Sequence, residues 1–516
     1  MNETSRLTPK ELQNLDPQIP EVWNRYGTVL IADSEVKGSG FNRTSIRRWT
    51  VSQKLFIQEL RGLVGPANVL DSAVSLQLYQ YDAYLEERRP DAVVFVHSTE
   101  EVSRVVKLCH AHGVPFVPRG GGTNLSGGTI PFKGGVVLEM IRMNQLLEVD
   151  LANLRARVQP GMFNLELGNA LAPLGFQYLP DPASQKAATL GGNVAENSGG
   201  PHCFKYGVTT NHVVGLTVVL PDGEIAEFGG LAQDTPGYDL TGVFVGSEGT
   251  FGVCTEVIVR IVRQAEGVKT LLAIYDSIER GSETVSAIVA AGMVPATLEM
   301  MDQLVIQAVE QSLHCGLPLD CATVLIIEVD GLKDDLEAQT EAIVRLCKEH
   351  GAREVRVAKD DAERAMLWAG RRGAFGAVAR LTPSYLVCDG TVPRTALPAV
   401  LKKVAEVGEK YDLKIPNVFH AGDGNLHPLI LFDWRNAEQK ARVMKAGMEI
   451  LGLCVELGGT ISGEHGVGLE KMDAIRLVLS EADIRSQLRV KRAFDPADLA
   501  NPGKIFPAPQ EVAHAQ

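Results

Sequence analysis

The stretch Pro118-Arg-Gly-Gly-Gly-Thr-Asn-Leu-Ser-Gly-Gly128 decides the fold of this chain. It contains five glycines in eleven residues, which cannot build a hydrophobic core but leave backbone N–H groups open to a ligand. Successive N–H groups in such a turn form a concave site for an anion. The apolar run 114–117 that precedes it is typical of a strand. We therefore predict a phosphate-binding loop at the end of a strand.

The common phosphate-binding motifs do not describe this loop. A G-x-G-x-x-G count that starts at Gly120 places Leu125 where the third glycine belongs, and no Gly-Lys-Ser or Gly-Lys-Thr follows. An ordinary glycine-rich turn is the alternative interpretation of this stretch alone. Two further glycine clusters, at 189–200 and 246–252, favour an extended ligand with a pyrophosphate and a flat ring over loop-rich α/β structure.

Composition limits the class of protein. The 516 residues are 45% hydrophobic and 22% charged, which is typical of a soluble chain of about two or three domains. The net charge of −13 argues against nucleic acid as a partner, because binding to phosphate backbones needs a basic surface. The eight cysteines form no C-x-x-C pair, which argues against an iron–sulfur or zinc-finger site and indicates a reducing, cytoplasmic location. We expect neither a signal peptide nor a transmembrane segment.

The order of patterns predicts an α/β unit and then an α+β domain. A strand at 92–96, a helix that begins at Thr99 and a hairpin at 213–228 belong to the first part, and an amphipathic helix at 52–63 precedes them. The composition changes near 263–269. Beyond it we predict alternating strands and helices at 270–274, 281–291, 300–309, 322–329 and 334–349.

Histidines and a carboxylate stand in two glycine-rich segments. In His420-Ala-Gly-Asp-Gly-Asn-Leu-His427 the glycines preclude a stable helix, so a turn can bring both imidazoles together as metal ligands. In Ser462-Gly-Glu464-His465-Gly466, Glu464 could be a third ligand and His465 an uncoordinated base. The alternatives are ordinary histidines and a helix start that favours an acidic residue.

An arginine pair, Arg371 and Arg372, follows Trp368. Arginine binds carboxylates through two parallel hydrogen bonds, so the pair could hold an acidic substrate. The alternative interpretation is a solvated helix face.

These motifs together resemble a known family. In chain order they are Pro-Arg-Gly-Gly-Gly-Thr (118–123), Gly-Gly-Asn (191–193), Gly-Ser-Glu-Gly-Thr-Phe-Gly (246–252), His-Ala-Gly-Asp-Gly-Asn-Leu-His (420–427), Ser-Gly-Glu-His-Gly (462–466) and Phe-Asp-Pro…Asn-Pro-Gly-Lys (494–504). The sequence resembles the FAD-linked oxidases of the vanillyl-alcohol oxidase type, and within them the 2-hydroxy-acid dehydrogenases. The resemblance is strongest to the FAD-binding subunits of bacterial glycolate oxidases, with D-lactate dehydrogenases as close relatives.

The resemblance implies an α+β fold with four parts. These are an N-terminal helical leader (1–87), a two-subdomain FAD-binding domain (88–266), a substrate-capping and metal-site domain (267–470) and a C-terminal helical segment (471–516). The resemblance also implies cofactor-binding roles for Pro118, Arg119, Gly120, Gly121, Gly122, Thr123, Asn124, Gly127, Gly192, Asn193, Asn197, Glu248 and Gly249. The first loop contains no histidine, so we expect non-covalent FAD.

The resemblance further assigns the chemistry. It implies that His420, His427 and Glu464 bind a divalent metal, with zinc favoured, and that His465 is the catalytic base. Arg371, Arg372 and Asn425 become candidate substrate-binding residues. The partners it implies are a small 2-hydroxy acid and separate subunits, one with iron–sulfur clusters, which would bring the complex to the membrane.

One departure from the family narrows the expected substrate. Relatives that oxidise 2-hydroxyglutarate have polar or cationic side chains where ungapped matching places Phe375, Val387 and Leu429 here. A buried second carboxylate beside these apolar residues would lack a partner. We therefore expect glycolate or D-lactate. An inactive flavin-binding scaffold and a metal hydrolase are the competing classes.

Overall fold

The computed structural model describes residues 53–232 and 236–507. The glycine-rich stretch follows a parallel strand, as the apolar run before it predicts. The first sheet contains β1 (Val69–Leu70), β2 (Ala92–Phe95), β3 (Phe116–Arg119) and β4 (Val136–Glu139). Its order is β1-β2-β4-β3, with β1 antiparallel to β2 and the other pairs parallel. The first glycine cluster therefore begins at the carboxyl end of an edge strand.

Helices cover this sheet: α1 (Gln53–Val64), α2 (Ala73–Gln77) and α3 (Thr99–His112). Ser98 begins α3 by accepting a hydrogen bond from the Glu101 N–H, and Gly113 ends it with φ 64°. Its apolar stripe is buried against the sheet in one core with α1. The predicted helices at 52–63 and from Thr99 are confirmed.

The second sheet is antiparallel, and the third glycine cluster directly precedes its strand at 253–260. Its strands are β5 (Leu146–Asp150), β6 (Arg155–Val158), β8 (Val213–Val219), β9 (Ile225–Gly229) and β10 (Val253–Arg260), in the order β5-β6-β10-β8-β9. The short strands β7 (Phe176–Gln177) and β11 (Val262–Arg263) pair separately. The helices of this part are α4 (Asn164–Leu171), α5 (Leu190–Glu196), α6 (Cys203–Tyr206) and α7 (Leu240–Phe244). The β8–β9 pairing confirms the predicted hairpin.

The third sheet is also antiparallel and forms the core of the second half of the chain. Its strands are β12 (Gly267–Tyr275), β13 (Thr297–Asp302), β14 (Thr323–Gly331), β15 (Glu354–Val357) and β17 (Val418–His420), in the order β15-β12-β14-β13-β17. A separate pair joins β16 (Ser384–Val387) to β18 (Leu429–Phe432). The helices are α8 (Ile278–Ala290), α9 (Gln303–Leu313), α10 (Lys333–Glu349), α11 (Asp361–Val378), α12 (Leu397–Tyr411) and α13 (Ala437–Glu456).

One predicted element in this half is wrong. The stretch 300–309, taken as a single element, is the end of β13 followed by the start of α9. Asp302 divides them, because its side chain accepts a hydrogen bond from the Val305 N–H, 3.0 Å away, and so caps the helix.

The last helix, α14 (Glu481–Phe494), is followed by a segment that returns to the first sheet. The Phe116 N–H donates to the Leu499 carbonyl (2.9 Å), and the Asn501 N–H donates to the Phe116 carbonyl (2.8 Å). Most of the predicted leader and the residues after 507 lie outside the described part of the chain, and the four domain boundaries stay predictions. Within residues 53–232 and 236–507, every helix is too short or too polar to cross a bilayer.

Candidate active site

The three glycine clusters, distant in sequence, line one cavity of ≈ 370 Å³. Residues 118–125 form one wall, α5 and the segment before it form another, and residues of 244–254 close it. The second half of the chain completes the cavity with side chains from helix α11 and from both histidine segments. The interpretation of the clusters as parts of one extended site is supported by this arrangement.

Close packing explains why the first loop needs glycine. A Cβ atom at Gly121 would lie 1.9 Å from the Ala187 carbonyl oxygen, and one at Gly120 would lie 2.1 Å from Oγ1 of Thr189. The loop therefore rests directly on the backbone before α5. Within the described residues, the backbone N–H groups of 120–123 have no acceptor. They are free to bind an anion, as predicted.

Arg119 lies beneath this loop, with only 8% of its surface exposed. Its Nη1 atom donates to the Tyr81 carbonyl (2.9 Å) and to Oγ1 of Thr129 (3.1 Å), and Nε lies 3.9 Å from the Glu139 carboxylate. Arg119 thus supports the loop from behind and adds positive charge to it.

The two histidines and the carboxylate predicted as metal ligands converge. Nε2 of His420 lies 3.0 Å from Oε1 of Glu464, and Nε2 of His427 lies 3.3 Å from the same oxygen. One ligand atom from each of these residues falls within 4.8 Å of the others. Both ring nitrogens of His427 are buried and make no hydrogen bond to the described residues. Two imidazoles and a carboxylate whose ligand atoms converge at one buried point fit a divalent cation such as Zn²⁺.

Glu299, which the sequence analysis missed, orients His420. Its Oε1 atom lies 2.7 Å from Nδ1 of His420, and its Oε2 atom accepts a hydrogen bond from Nε of Arg371 (2.6 Å). Burial lowers the pKa of His420, but the carboxylates of Glu299 and Glu464 outweigh it and raise the pKa to about 10. The surroundings therefore favour positive charge at this point. Arg371, the first candidate for a substrate clamp, is 1% exposed and already paired with Glu299.

His465 stands beside the three converging residues and lines the cavity. Its ring stacks on that of His427, with centroids 4.9 Å apart and planes 10° apart. Burial lowers the pKa of His465 to about 4, so the imidazole is neutral near pH 7 and can accept a proton. No helix begins at 462–466, so the alternative interpretation of this segment is wrong.

Asp389 orders the turn that carries Glu464 and His465. It is fully buried, and its Oδ2 atom accepts hydrogen bonds from the His465 N–H (2.9 Å), Oγ of Ser462 (2.7 Å) and Nζ of Lys471 (3.2 Å). The only sequence signal for it is an acidic residue that stands before a glycine, directly after the apolar run 385–388.

Three predicted residues lie outside the cavity wall: Gly127, Asn197 and Asn425. Asn197 ends α5 with φ 53°, and its Oδ1 atom accepts a hydrogen bond from the Thr210 N–H (2.8 Å). Asn425 is buried with its side chain against Gly463. The other predicted cofactor-binding residues all line the cavity.

The apolar end of the cavity corrects the ungapped matching. Phe375 lines the cavity, but Val387 and Leu429 face each other across the β16–β18 pair and are buried in the core. Tyr385, two residues before Val387, lines the cavity instead, and its ring lies 6.3 Å from that of Phe375.

Arg372 is the second arginine of the pair, and it also lines the cavity. Its Nη2 atom donates to Oδ2 of Asp181 (3.1 Å), and its guanidinium lies 5.0 Å from the centroid of the Trp368 ring. With 40% of its side chain exposed, Arg372 is more accessible than Arg371.

Comparisons with known proteins now identify the family. A model described as FAD binding domain matches residues 90–229, and one described as FAD linked oxidases, C-terminal domain, matches residues 264–505. The chain is 44% identical to the glycolate oxidase subunit GlcD of Escherichia coli (strain K12), over 89% of this chain and 92% of that one. This chain belongs to the FAD-linked oxidases. The glycolate oxidase subunit GlcD of Bacillus subtilis (strain 168) is 46% identical to it, over 87% of this chain and 96% of the relative.

A further relative and a solved structure are also similar to this chain, the latter in fold alone. A D-lactate dehydrogenase of Anaerostipes hadrus is 34% identical, over 81% of this chain and 90% of the relative. The crystal structure of p-cresol methylhydroxylase superposes with a TM-score of 0.76 at 19% identity, over 88% of this chain and 96% of the other. The predicted family, fold class and FAD cofactor are confirmed by these comparisons.

Proposed function

We propose that this FAD-linked oxidase converts glycolate, a small 2-hydroxy monocarboxylic acid, to the 2-oxo acid glyoxylate. The observation that carries the proposal is the convergence of His420, His427 and Glu464 beside His465 in the cavity that the glycine clusters line. The identity of 44–46% to two glycolate oxidase subunits supports this choice of substrate.

FAD, held without a covalent bond by the glycine clusters, would supply the acceptor for the hydride from C2, which carries both electrons of the oxidation. His420, His427 and Glu464 would hold a divalent ion, for which we favour Zn²⁺, and such an ion lowers the pKa of a bound hydroxyl.

His465 would remove the proton of the substrate hydroxyl. Its neutral imidazole accepts that proton while the hydride leaves C2, so the alcohol carbon becomes a carbonyl and the substrate loses two electrons. The Asp389 carboxylate, 4.0 Å from Nδ1 of His465, would stabilise the imidazolium that forms.

Arg372 and Arg371 would provide the positive field that holds the substrate carboxylate. Arg371 already donates a hydrogen bond to Glu299. It would therefore contribute positive charge near the metal ligands rather than a direct bond to the substrate. Arg372 can move from Asp181 to an incoming carboxylate, because its side chain is partly exposed.

D-lactate, oxidised to pyruvate, is the second candidate substrate, and the 34% identity to a D-lactate dehydrogenase favours it. One methyl group in an apolar pocket is worth about 1–3 kcal/mol, so Phe375 and Tyr385 separate the two acids weakly. The rings of Phe375 and Tyr385 offer no positive charge to a second carboxylate, and a buried carboxylate needs one.

Separate partner subunits would take the electrons, one of them with iron–sulfur clusters. The relatives from Escherichia coli and Bacillus subtilis are each described as a subunit of glycolate oxidase, which supports separate partners. The iron–sulfur clusters rest on the resemblance alone. We infer a cytoplasmic enzyme that reaches the inner face of the membrane through these partners.

Anaerobic bleaching of the flavin by a panel of 2-hydroxy acids tests the proposal. Glycolate or D-lactate should reduce the flavin much faster than D-2-hydroxyglutarate does. Faster reduction by D-2-hydroxyglutarate would refute the proposed substrate class, and no reduction by any acid in an intact complex would favour an inactive scaffold.

A further inference from the structure

The segment 495–504, which we call the C-terminal strap, crosses the outer side of the first glycine loop. Lys504 in this strap is 5% exposed. Its Nζ atom donates to three backbone carbonyls, those of Gly127 (2.7 Å), Gly128 (3.0 Å) and Ile130 (2.7 Å). An ammonium group has three donors, and all three are used on this loop.

Asn501 joins the same loop to the third glycine cluster. Its Nδ2 atom donates to the carbonyl of Gly128 (2.8 Å) and to the carbonyl of Glu248 (2.7 Å). These two clusters are separated by more than a hundred residues in the chain but are held together by one amide group. Asn501 is 2% exposed, so these bonds are shielded from water.

The strap itself is anchored to helix α14. Asp495 accepts hydrogen bonds from the N–H groups of Leu499 (2.9 Å) and Ala500 (2.8 Å). Lys491 donates to the carbonyls of Thr250 (2.8 Å) and Ala500 (3.2 Å). The position of Lys504 and Asn501 is therefore fixed by a folded segment.

The bonds of Lys504 set the direction of the loop peptides. In a planar trans peptide, the C=O of one residue and the N–H of the next point in opposite directions. The Gly127 carbonyl points outward to Lys504, and the Gly128 N–H of the same peptide donates to Oδ1 of Asn124 (2.7 Å). Asn124 lines the cavity. The hydrogen bond from Lys504 on one side of this peptide and the hydrogen bond to Asn124 on the other fix its orientation.

We propose that Lys504 and Asn501 are positioning residues for FAD. They hold the carbonyls of the glycine loops away from the cavity, so that the free N–H groups of 120–123 are arranged for the cofactor's pyrophosphate before it binds. The proposal rests on FAD binding in this cavity and is independent of which hydroxy acid is oxidised.

The test is the affinity of the apoprotein for FAD, measured by titration with flavin fluorescence, in Lys504→Met and Asn501→Ala. Each variant loses the hydrogen bonds of its side chain to the glycine loops and should bind FAD about tenfold or more weakly. Because both residues bind the Gly128 carbonyl, the double variant should lose less than the sum of the two effects. FAD affinity within about twofold of the wild type in a folded variant would overturn the proposal.

Two matched variants separate positioning from general stability. Lys133→Met makes the same change at an exposed lysine beside Gly503 and should leave FAD affinity unchanged. Leu325→Ala lowers the melting temperature from the core of the third sheet and should also leave it unchanged. If Leu325→Ala weakens FAD binding as much as Lys504→Met does, the effect is only structural and the proposal fails.

Hydrogen exchange of the wild-type protein decides the question if the variants do not fold. Addition of FAD to the apoprotein should slow amide exchange in 495–504 together with 118–130. Slowing confined to 118–130 would contradict a coupled strap.

Discussion

Nε2 of His420 lies 3.0 Å from Oε1 of Glu464, although 44 positions separate the two residues in the chain. His420 ends strand β17. Glu464 belongs to the turn 462–466, which the buried Asp389 orders through hydrogen bonds. Glu299 fixes the other ring nitrogen of His420 at 2.7 Å. A histidine held between two carboxylates has its Nε2 atom aimed into the site, as a metal ligand needs.

Glu464→Gln and His427→Gln should each lower the content of divalent metal per protein well below that of the wild type. Each removes one of the three converging ligand atoms, and an amide is a poorer ligand than a carboxylate or an imidazole. Elemental analysis of the purified protein checks this. Glu449→Gln, which changes a carboxylate that pairs with Lys410 at the surface, is the matched control. Full metal content in both site variants would argue against the ligand set.

His465→Gln should slow flavin reduction by about 10²–10⁴-fold, the usual effect of removing a general base. FAD content and metal content should stay at wild-type values, because His465 is assigned to neither. Anaerobic stopped-flow measurement of flavin absorbance gives the rate. Turnover equal to that of the wild type would remove His465 from the chemistry.

The parts of the site that lie within short motifs were predictable. Glycine clusters and closely spaced histidines impose local geometry, and the sequence predicted that His420, His427 and Glu464 lie together, as they do in the structure. Their role as metal ligands stays a prediction. Glu299 could not be predicted, because it lies more than a hundred residues before its partner His420 and belongs to none of the motifs or elements that the sequence predicts.

The apolar pocket shows a second limit. Ungapped matching selected Val387, but Tyr385 lines the cavity instead. The two residues are two positions apart and so lie on the same face of β16. Only the three-dimensional path of the strand shows which of them reaches the cavity. Lys504 illustrates the same limit, because the carbonyls it binds are contributed by backbone that any sequence could supply.

Glu299→Gln should destabilise the fold and weaken metal binding together. Glu299 is 1% exposed and is the partner of the equally buried Arg371. Removing one member of a buried ion pair costs about 3–5 kcal/mol, and loss of the group that orients a ligating histidine costs about 10–100-fold in metal affinity. Denaturant unfolding and metal titration measure the two effects. Glu354→Gln, at an exposed pair with Arg356, should change neither, and an unaffected Glu299 variant would contradict this account.

The free energy of unfolding should fall as the pH rises above neutrality, because unfolding then releases the proton that two carboxylates hold on His202 in the folded chain. Its Nδ1 atom lies 2.8 Å from Oδ1 of Asp181 and its Nε2 atom 3.5 Å from Oε1 of Glu328. Burial lowers the pKa of His202, but these carboxylates outweigh burial and raise the pKa to about 10. In the unfolded chain a histidine has a pKa of about 6.5. The stabilisation is therefore complete below that pH and is lost as the pH approaches 10.

The free energy of unfolding, measured in urea between about pH 6.5 and pH 9, checks this loss of stability. Because His202 releases one proton on unfolding, the free energy can fall by at most about 1.4 kcal/mol per pH unit. His202→Gln should flatten the dependence, whereas the exposed His110→Gln should not. An equal slope in wild type and His202→Gln would show that other groups cause it.

We propose that one cavity combines FAD with a hydroxy acid held at the metal site. The most direct measurement is the rate of anaerobic flavin reduction by glycolate and by D-lactate, before and after a chelator has removed the metal and after Zn²⁺ is returned. We predict rapid reduction, its loss with the metal while FAD stays bound, and its recovery with the added ion. Unchanged reduction in metal-free, FAD-loaded protein would contradict the account.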